Sequence, residues 1–246
     1  DASEVCSQIE GRNAIVYAGA EPNGIALFLH GAPGSPQKVM KIYGAHSLAE
    51  THDLVAVAPI GDVAVWGWES NNNDSDKMSD ILYLEALLND LQAQYGIGND
   101  RVYVFGYSAG GFMNYRLACQ MPERFTAMIS LSGQFRGDFS SCTTSTPVAI
   151  HHLHSREDLD VPYSGRARGK IQSVDQTLAH WQTINGCSQD TQLIEQSGVT
   201  PTSPETQTHI FQDCEKPLRL SIMKQVEHED NYQADKLLEI VSYLLD

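Results

Sequence analysis

Short apolar runs alternate along this chain with longer segments of helical periodicity, and this alternation constrains the fold most. The runs are rich in Val, Ile, Leu and Phe and predict strands at residues 25–29, 55–58, 102–105, 127–131, 148–153 and 218–223. Continuous apolar runs of this kind are typical of strands buried on both faces. Strands that alternate with helices indicate an α/β fold, with a mostly parallel central sheet flanked by helices on both faces.

The segments between these runs carry apolar residues at helical spacing. The clearest helix is predicted over residues 79–95, with Ser79 as its cap, and further helices are predicted over 109–121, 170–184 and 230–245. Two polar segments, 63–76 and 188–205, are interpreted as surface excursions. Because no linker or internal repeat divides the chain, we expect one domain across residues 1–246.

The overall charge excludes some partners. The chain has 31 Asp and Glu against 16 Lys and Arg, which gives a net charge of −15. This acidity argues against binding to a phosphate backbone, so no nucleic-acid partner is expected. No apolar run is long enough to cross a bilayer, and no membrane partner is expected either. The oligomeric state cannot be read from the sequence.

The five cysteines point to disulfides rather than to a metal site. They are Cys6, Cys119, Cys142, Cys187 and Cys214, and none forms the C-x-x-C pair that zinc sites use. The chain begins at Asp1 rather than Met, as expected of a mature chain whose signal peptide is gone or of a trimmed chain. Together with the expected disulfides, this predicts a secreted or periplasmic location. With an odd number, at least one thiol is free or pairs between chains; the alternative is that all five are buried and reduced.

The pentapeptide Gly106-Tyr107-Ser108-Ala109-Gly110 follows one predicted strand and opens a predicted helix. A serine on a sharp turn between a strand and a helix exposes its hydroxyl, and the flanking glycines relieve crowding. The pattern alone is weak, since a serine can occupy a tight turn without reacting. Its position between a strand and a helix predicts that Ser108 is a nucleophile.

A nucleophilic serine needs a histidine to accept its proton and a carboxylate to orient that histidine. Just past the strand at 148–153, Asp158 or Asp160 can be the acid, and His228 lies between the last predicted strand and the last predicted helix. The order serine, acid, histidine is the one expected for an α/β sheet whose site lies at the carboxyl ends of its strands.

Two backbone N–H groups are also needed to bind the oxyanion of the reaction intermediate. The residue after the nucleophile, Ala109, supplies one, and the compact turn after the strand at 25–29 offers Ala32 as the second. His30, which opens this turn, is interpreted as a structural hydrogen-bonding residue rather than a second base. This chemistry requires no cofactor.

Several other residues are candidates for binding a metal ion or the substrate. His151, His152 and His154 with Asp158 could suggest a metal site, but His151 lies on the opposite strand face from the other two histidines, so no metal is expected. Three aromatic residues near the predicted site are candidates for substrate binding: Trp66, Trp68 and Tyr107. For the two tryptophans, the alternative is packing within a surface loop.

Taken together, these motifs resemble the α/β-hydrolase fold. The motifs are H-G-x-x-G at 30–34, G-Y-S-A-G at 106–110, H-x-x-x-D-x-x-V-P at 154–162 and a late His228. A narrower likeness, covering nearly the whole chain after Ile25, is to the secreted polyhydroxybutyrate depolymerases and the feruloyl and acetylxylan esterases (carbohydrate esterase family 1-like). It is carried by residues 79–80, 100–104, 106–111, 115–119 and 122–125.

The resemblance implies Asp158 rather than Asp160 as the acid, because Asp158 occupies the aspartate of the family's H-G-x-x-D-x-x-V-P motif. It also implies a disulfide between Cys187 and Cys214. A Cys119–Cys142 disulfide is our second expectation and would leave Cys6 over. The chain departs from the family at Ser155, where glycine is usual, and at Ala32, where many members have cysteine or another residue. Either change would affect the shape of the acyl pocket.

The function that these features imply is a serine carboxylic-ester hydrolase working through an acyl-enzyme. Feruloyl or acetyl esters of plant cell-wall polysaccharide are the expected substrates, small or polymeric, and hydroxyalkanoate polyesters are the alternative. A peptidase with the same triad and a non-catalytic binding module are further alternatives. No long insertion separates the Ser108 and Asp158 strands, so no large lid is expected.

Overall fold

The computed structural model of the chain describes residues 5–9, 11–62, 66 and 75–245, and it describes side chains throughout these ranges except at 5–9 and 75–79. Within these ranges the chain forms one sheet of ten strands. The strands are β1 (Val5–Ile9), β2 (Arg12–Ala18), β3 (Gly24–Leu29), β4 (Leu54–Pro59), β5 (Val102–Tyr107), β6 (Ala127–Leu131), β7 (Ala149–Ser155), β8 (Thr191–Ser197), β9 (Glu205–Phe211) and β10 (Leu218–Met223).

The described helices connect these strands. They are α1 (Pro36–Tyr43), α2 (Ala45–Thr51), α3 (Ser75–Tyr95), α4 (Ala109–Gln120), α5 (Val174–Ile184) and α6 (Ala234–Val241), together with short 3-10 turns at Pro122–Arg124, Phe139–Ser141 and Ser242–Leu244. No helix in the described ranges has the length and apolarity needed to cross a membrane.

The strand order is β1-β2-β4-β3-β5-β6-β7-β10-β9-β8. The strands from β4 to β10 in this order pair in parallel, whereas β1 and β2 at one edge and β9 and β8 at the other pair antiparallel. The prediction of a mostly parallel sheet is therefore confirmed.

Both faces of the sheet are covered. Along β3, Ile25 and Leu27 belong to one core layer and Ala26 and Phe28 to the other, and all four are fully buried. Apolar residues of α3, α4 and α5 pack into the first layer, and those of α1, α2 and α6 into the second. Strands with no solvent-facing side explain why the sequence shows continuous apolar runs rather than alternation.

Residues 188–205, interpreted as a surface excursion, do lie at the surface, but the segment contains β8 and reaches β9, and these strands were not predicted. The two strands form an antiparallel hairpin at the edge of the sheet, and most β8 side chains are exposed or half-buried. An edge strand with little buried apolar surface has no strong hydrophobic signal in its sequence.

Several element ends differ from the prediction. Helix α3 begins at Ser75, so Ser79 lies inside the helix and is not its cap; the remainder of segment 63–76, apart from Trp66, lies outside the described residues. Helix α5 begins at Val174, where Ser173 forms a capping box with Gln176. The last helix is shorter than predicted, because α6 begins at Ala234.

Two disulfides link loops to the helical layer. Cys119 at the end of α4 is bonded to Cys142, and Cys187 just after α5 is bonded to Cys214. Both expected pairings are therefore confirmed. The side chain of Cys6 lies outside the described residues.

Two strands extend further than predicted, and this extension positions the site. Strand β5 continues to Tyr107 and β7 continues to Ser155. Ser108 therefore follows directly on the carboxyl end of β5, and Asp158 lies three residues past the end of β7. In open α/β sheets this edge is where ligands bind.

Candidate active site

Ser108 lies on the turn between β5 and α4 with φ 54° and ψ −115°. A positive φ is unfavourable for a residue with a side chain, and such backbone strain is concentrated at functional sites. The Ser108 N–H donates to the carbonyl of Leu131 on the neighbouring strand at 2.9 Å, which helps to hold this conformation. The hydroxyl is thereby presented at the edge of the sheet.

The glycines that flank Ser108 allow close backbone approach. A Cβ on Gly106 would stand 2.4 Å from the carbonyl oxygen of Gly110, and a Cβ on Gly110 would stand 1.9 Å from that of Leu29. Both distances are far below a van der Waals contact, so only glycine permits α4 to start against β3 and β5. The sequence spacing G-x-S-x-G thus has a steric cause.

Three side chains from distant segments form one hydrogen-bonded chain. The Ser108 Oγ lies 2.9 Å from His228 Nε2, and His228 Nδ1 lies 2.7 Å from Asp158 Oδ2. The exposed fractions of Ser108, His228 and Asp158 are only 7%, 8% and 2%. These three side chains are therefore largely shielded from water, while Ser108 and His228 still line a cleft.

The Asp158 carboxylate is held by its own loop. Its Oδ1 accepts hydrogen bonds from the backbone N–H groups of Asp160 at 3.0 Å and Val161 at 2.8 Å. These bonds orient Oδ2 towards His228. Asp160 itself is exposed and contributes its backbone, not its carboxylate, to this arrangement. Of the two acids that the sequence left open, the structure brings Asp158 into contact with His228.

The loop that carries His228 is fixed by two tyrosines. The Tyr107 hydroxyl donates to the His228 carbonyl at 2.8 Å, and the Tyr232 hydroxyl donates to the same oxygen at 3.2 Å. The Tyr107 ring also stacks on the imidazole, with 5.5 Å between the ring centroids. Burial raises the pKa of both tyrosine hydroxyls, so both stay protonated as donors. Tyr232 was missed by sequence analysis, and its only signal is its position four residues after His228.

The turn after β3 borders Ser108 from the other side. A Cβ on Gly31 would lie 3.2 Å from the Ser108 Cβ, and both Ala32 and Ala109 line the same cleft as Ser108. Ala109 is the first residue of α4, and N–H groups at this position have no acceptor within the helix. Both predicted oxyanion residues thus lie beside the serine.

His30 holds this turn in place. Its Nδ1 donates to the Gly31 carbonyl at 2.7 Å, and its Nε2 accepts from the Gly61 N–H at 3.0 Å. Burial lowers the pKa of His30, which favours the neutral ring that these two bonds require. His30 is thus placed as a hydrogen-bonding residue of the turn.

The candidate substrate aromatics lie in different places. Tyr107 lines the cleft. The Trp66 side chain, only 3% exposed, lies in the core, where its Nε1 donates to the His30 carbonyl at 2.9 Å. Trp66 therefore stabilises the turn at His30 from the core side and does not line the substrate cleft. Trp68 lies outside the described residues.

A second buried hydrogen-bonded chain lies behind Asp158. The Tyr115 hydroxyl lies 2.8 Å from His152 Nδ1, His152 Nε2 lies 3.1 Å from His154 Nδ1, and His154 Nε2 lies 2.8 Å from the Val161 carbonyl. A carbonyl can only accept, so His154 Nε2 must donate to it. Its Nδ1 then accepts from His152 Nε2, and His152 Nδ1 accepts from Tyr115.

All of the donors in this chain therefore point in one direction, from Tyr115 to the Asp158 loop. Burial lowers the pKa of His154 to about 4 and that of His152 well below its usual range, so both rings are neutral at physiological pH. His151 points to the opposite sheet face, where it contacts the Ser221 hydroxyl at 2.7 Å. Within the part of the chain that the structure describes, no three His, Cys, Asp or Glu side chains are arranged to hold a metal ion.

The cleft above Ser108 has a volume of about 390 Å³. One wall is formed by the Ala32 turn and the other by the loops that follow β6 and β7, which contribute Arg136, Val161, Arg166 and Ile171. The two arginines and Ile171 were not identified from the sequence, because each lies in irregular structure without a motif.

Comparison with known proteins identifies the architecture. The structure of an acetyl xylan esterase from Aspergillus awamori matches this one with a TM-score of 0.66 at 17% sequence identity, over 97% of this chain and 98% of that one. The chain has the α/β-hydrolase fold. A family model described as phospholipase/carboxylesterase matches residues 61–178 of this chain, a segment that includes Ser108 and Asp158 and ends before His228.

Curated relatives carry esterase names. Feruloyl esterase C from Emericella nidulans is 25% identical over 224 residues, which cover 86% of this chain and 74% of the relative. A bifunctional acetylxylan esterase/xylanase from Neocallimastix patriciarum is 28% identical over 151 residues, which cover 60% of this chain. These matches confirm the predicted resemblance to the feruloyl and acetylxylan esterase group.

Some of these relatives are much longer than the segment they share with this chain. The aligned segment covers 22% of the bifunctional Neocallimastix patriciarum relative, 44% of an esterase relative from Nocardia uniformis and 59% of a feruloyl esterase C relative from Aspergillus clavatus.

Proposed function

We propose that this α/β-hydrolase cleaves carboxylic esters through an acyl-enzyme, with Ser108 as nucleophile, His228 as general base and Asp158 as the residue that orients His228. The observation that carries the proposal is the unbroken hydrogen-bonded chain from Ser108 Oγ through the imidazole to Asp158 Oδ2, with contacts of 2.9 and 2.7 Å. The esterase names of its relatives support the same chemistry.

In the first half of the reaction, Ser108 Oγ attacks the ester carbonyl carbon while His228 Nε2 takes the hydroxyl proton. The negative charge that develops on the carbonyl oxygen is bound by the N–H groups of Ala32 and Ala109. Asp158 stabilises the imidazolium that forms. His228 then gives its proton to the alcohol oxygen as the carbon–oxygen bond breaks, and the acyl group stays on Ser108.

In the second half, water takes the place of the alcohol. His228 removes a proton from water, the resulting oxygen attacks the acyl carbon, and the same two N–H groups bind the oxyanion. The bond to Ser108 Oγ breaks, and the serine recovers its proton from His228. The free acid leaves, and the starting state is restored without a cofactor.

The proposed substrates are feruloyl or acetyl esters of plant cell-wall polysaccharide. This choice rests on the names of the relatives together with the sequence motifs described above. We further propose an extracytoplasmic location, because disulfides such as Cys119–Cys142 and Cys187–Cys214 are typical of oxidising compartments.

The test is hydrolysis of p-nitrophenyl acetate by the protein and by its Ser108→Ala variant. We expect the variant to lose at least about 10⁴-fold in kcat, as is typical when a nucleophilic serine is removed, with an unchanged circular dichroism spectrum. Equal turnover by both proteins would exclude Ser108. Methyl ferulate, acetylated xylan, polyhydroxybutyrate and a peptide substrate, compared by product release, then distinguish the substrate classes.

A further inference from the structure

Two arginines face the cleft from opposite sides of one short backbone ladder. Ile171 pairs antiparallel with Arg166 on one side and with Arg136 on the other. The Arg166 pair is joined by two hydrogen bonds of 2.8 and 3.0 Å between the backbones of Arg166 and Ile171. The Arg136 pair is flanked by hydrogen bonds from Gly137 N to Lys170 O and from Gln172 N to Phe135 O.

Residues that lie directly opposite each other in an antiparallel pair project their side chains to the same face. Arg136, Ile171 and Arg166 must therefore point in one direction, and all three line the cleft that contains Ser108. We call these three residues the arginine rung. Adjacent strands are about 4.8 Å apart, so the two arginine backbones are separated by about 10 Å with Ile171 between them.

The guanidinium of Arg136 is held in place by contacts on two sides. Its Nε donates to the Gly169 carbonyl at 2.6 Å, and its Cζ lies 5.2 Å from the centroid of the Phe112 ring, which also lines the cleft. Gly169 has φ +82°, and a Cβ there would stand 2.7 Å from Arg136 Nη2. The loop is thus shaped to receive this side chain.

Arg166 is exposed, and its Nε contacts the Arg168 carbonyl at 3.3 Å. Among the described residues, no carboxylate lies within salt-bridge distance of its guanidinium. Two acidic residues line the same cleft. Glu229 is paired with Lys38 at 2.8 Å, whereas Asp160 is exposed and lowers the positive potential of the cleft. In a chain of net charge −15, the two arginines that line this cleft place positive charge close to Ser108.

The rung also separates two cavities. Beyond Arg166 and Ile171 lies a second cavity of about 520 Å³, which is lined by Lys170, Ser164 and Gln172 among others. A substrate bound at Ser108 can extend over the rung into this space. A guanidinium pairs with a planar carboxylate through parallel hydrogen bonds, which a neutral group of the same shape cannot form.

We propose that the arginine rung is a carboxylate-binding subsite, so that the preferred substrate is an ester that also carries a carboxylate several atoms from the scissile bond. As a substrate assignment this rests on the ester hydrolysis proposed above, whereas binding of a carboxylate at the rung does not. The carboxylate can belong to the acyl part or to the alcohol part of the ester, and the substrates chosen below distinguish the two.

The first measurement is binding, which does not require turnover. Isothermal titration compares 4-acetamidobenzoate with its neutral analogue 4-acetamidobenzamide. The second measurement is kcat/KM for two matched ester pairs. In 4-acetoxybenzoate and 4-acetoxybenzamide the charged group is on the alcohol part, and in 4-nitrophenyl hydrogen adipate and 4-nitrophenyl adipamate it is on the acyl part.

Arg166→Gln is the test variant and Arg168→Gln is its control. Arg168 is exposed on the same hairpin and lines neither cavity, so both substitutions remove one positive charge but only one of them removes it from the rung. We expect the preference for the carboxylate over the carboxamide to fall about threefold to fivefold in Arg166→Gln and to be unchanged in Arg168→Gln. In Asp160→Asn the preference should rise, and in the wild type it should weaken at high salt.

The subsite would be overturned if Arg166→Gln and Arg168→Gln showed the same preference for the carboxylate over the carboxamide. It would also be overturned if the wild type showed no such preference in any of the comparisons. Its failure is distinguishable from failure of the proposed function. If no ester is hydrolysed but the arginine-dependent binding preference is present, the ester-hydrolase proposal fails and the subsite stands. If neutral esters are hydrolysed without any preference for a carboxylate, the ester-hydrolase proposal stands and the subsite fails.

Discussion

His154 and Asp158, four residues apart in the sequence, approach each other to 3.5 Å between Nε2 and Oδ2, and both side chains are fully buried. The same His154 Nε2 donates to the Val161 carbonyl, and the Val161 N–H donates to Asp158 Oδ1. The His154 imidazole therefore holds the loop that orients the Asp158 carboxylate. Its other nitrogen, Nδ1, accepts a hydrogen bond from His152. We infer that His154 is a positioning residue for Asp158.

Replacing His154 with leucine should lower kcat about tenfold with little change in KM, because Asp158 would no longer be held against His228. His154→Gln keeps an N–H donor for the Val161 carbonyl and should recover part of the loss. The measurement is kcat and KM across pH for both variants. If His154→Leu only lowers the melting temperature and leaves the pH profile and kcat as in the wild type, the role is structural alone.

Substitutions of Asp158 and Asp160, which lie on the same loop, should have very different effects on kcat. Asp158→Asn should reduce kcat about 10⁴-fold, since an amide in place of the carboxylate favours the wrong imidazole tautomer and cannot stabilise the imidazolium. Asp160→Asn should lose far less on a neutral ester, because its backbone N–H, which is retained, makes the bond to Asp158. Steady-state kinetics on p-nitrophenyl acetate decides; a larger loss at Asp160 would show that Asp158 is not the acid.

The two hydroxyls on the His228 carbonyl should each contribute to catalysis. Tyr107→Phe and Tyr232→Phe each remove one hydrogen bond from this oxygen, which is worth about 1 kcal/mol, so kcat should fall about fivefold in each. The double variant should lose more than either single one. Tyr243→Phe, whose hydroxyl contacts His151 instead, is the matched control and should retain full kcat. Unchanged kcat in the double variant would contradict this role.

Stability should fall in mild acid because of the buried histidines. Burial lowers the pKa of His151 to about 3 and that of His154 to about 4, from a usual value of 6.5. As pH falls below about 6.5, the unfolded chain takes up protons at these sites while the folded protein does not, so the free energy of unfolding decreases until the folded pKa is reached. The slope is about 1.4 kcal/mol per pH unit for each histidine.

Urea unfolding at several pH values between neutrality and mild acid measures this slope. His151→Gln removes one of these groups and should make the slope shallower than in the wild type. Since both proteins share all other titrating groups, the difference between the two profiles isolates the histidine. Parallel profiles would contradict the prediction.

The disulfides should stabilise the fold measurably. Cys119–Cys142 and Cys187–Cys214 close segments with sequence separations of 23 and 27. Crosslinks over segments of this length restrict the unfolded chain by about 3 kcal/mol each. Dithiothreitol should therefore lower the melting temperature of the wild type. The Cys187→Ser/Cys214→Ser variant should melt lower without reductant and respond less to it, and an equal response in both would contradict the assignment.

Much of this fold could be predicted from the sequence, and the failures have a common cause. The strands at 127–131 and 218–223 were predicted with the bounds that the structure shows, because a strand buried on both faces needs a continuous apolar run. The hairpin of β8 and β9 was missed because its stability comes from pairing with β10, which leaves no apolar pattern in its own sequence. Helix starts were misplaced in both directions, since α3 begins four residues earlier than predicted and α5 and α6 begin four residues later.

The sequence by itself determined where a serine could be presented for attack, because the strand, the turn and the helix are local properties of residues 102–120. Only the tertiary structure decided what surrounds Ser108. The contact between Asp158 and His228 joins residues 70 apart, and the arginine rung joins residues 136 and 166 through Ile171. The motifs predicted Asp158 and His228 as partners of Ser108, but the distances between them and the whole of the arginine rung depend on how the strands are ordered and the loops are folded.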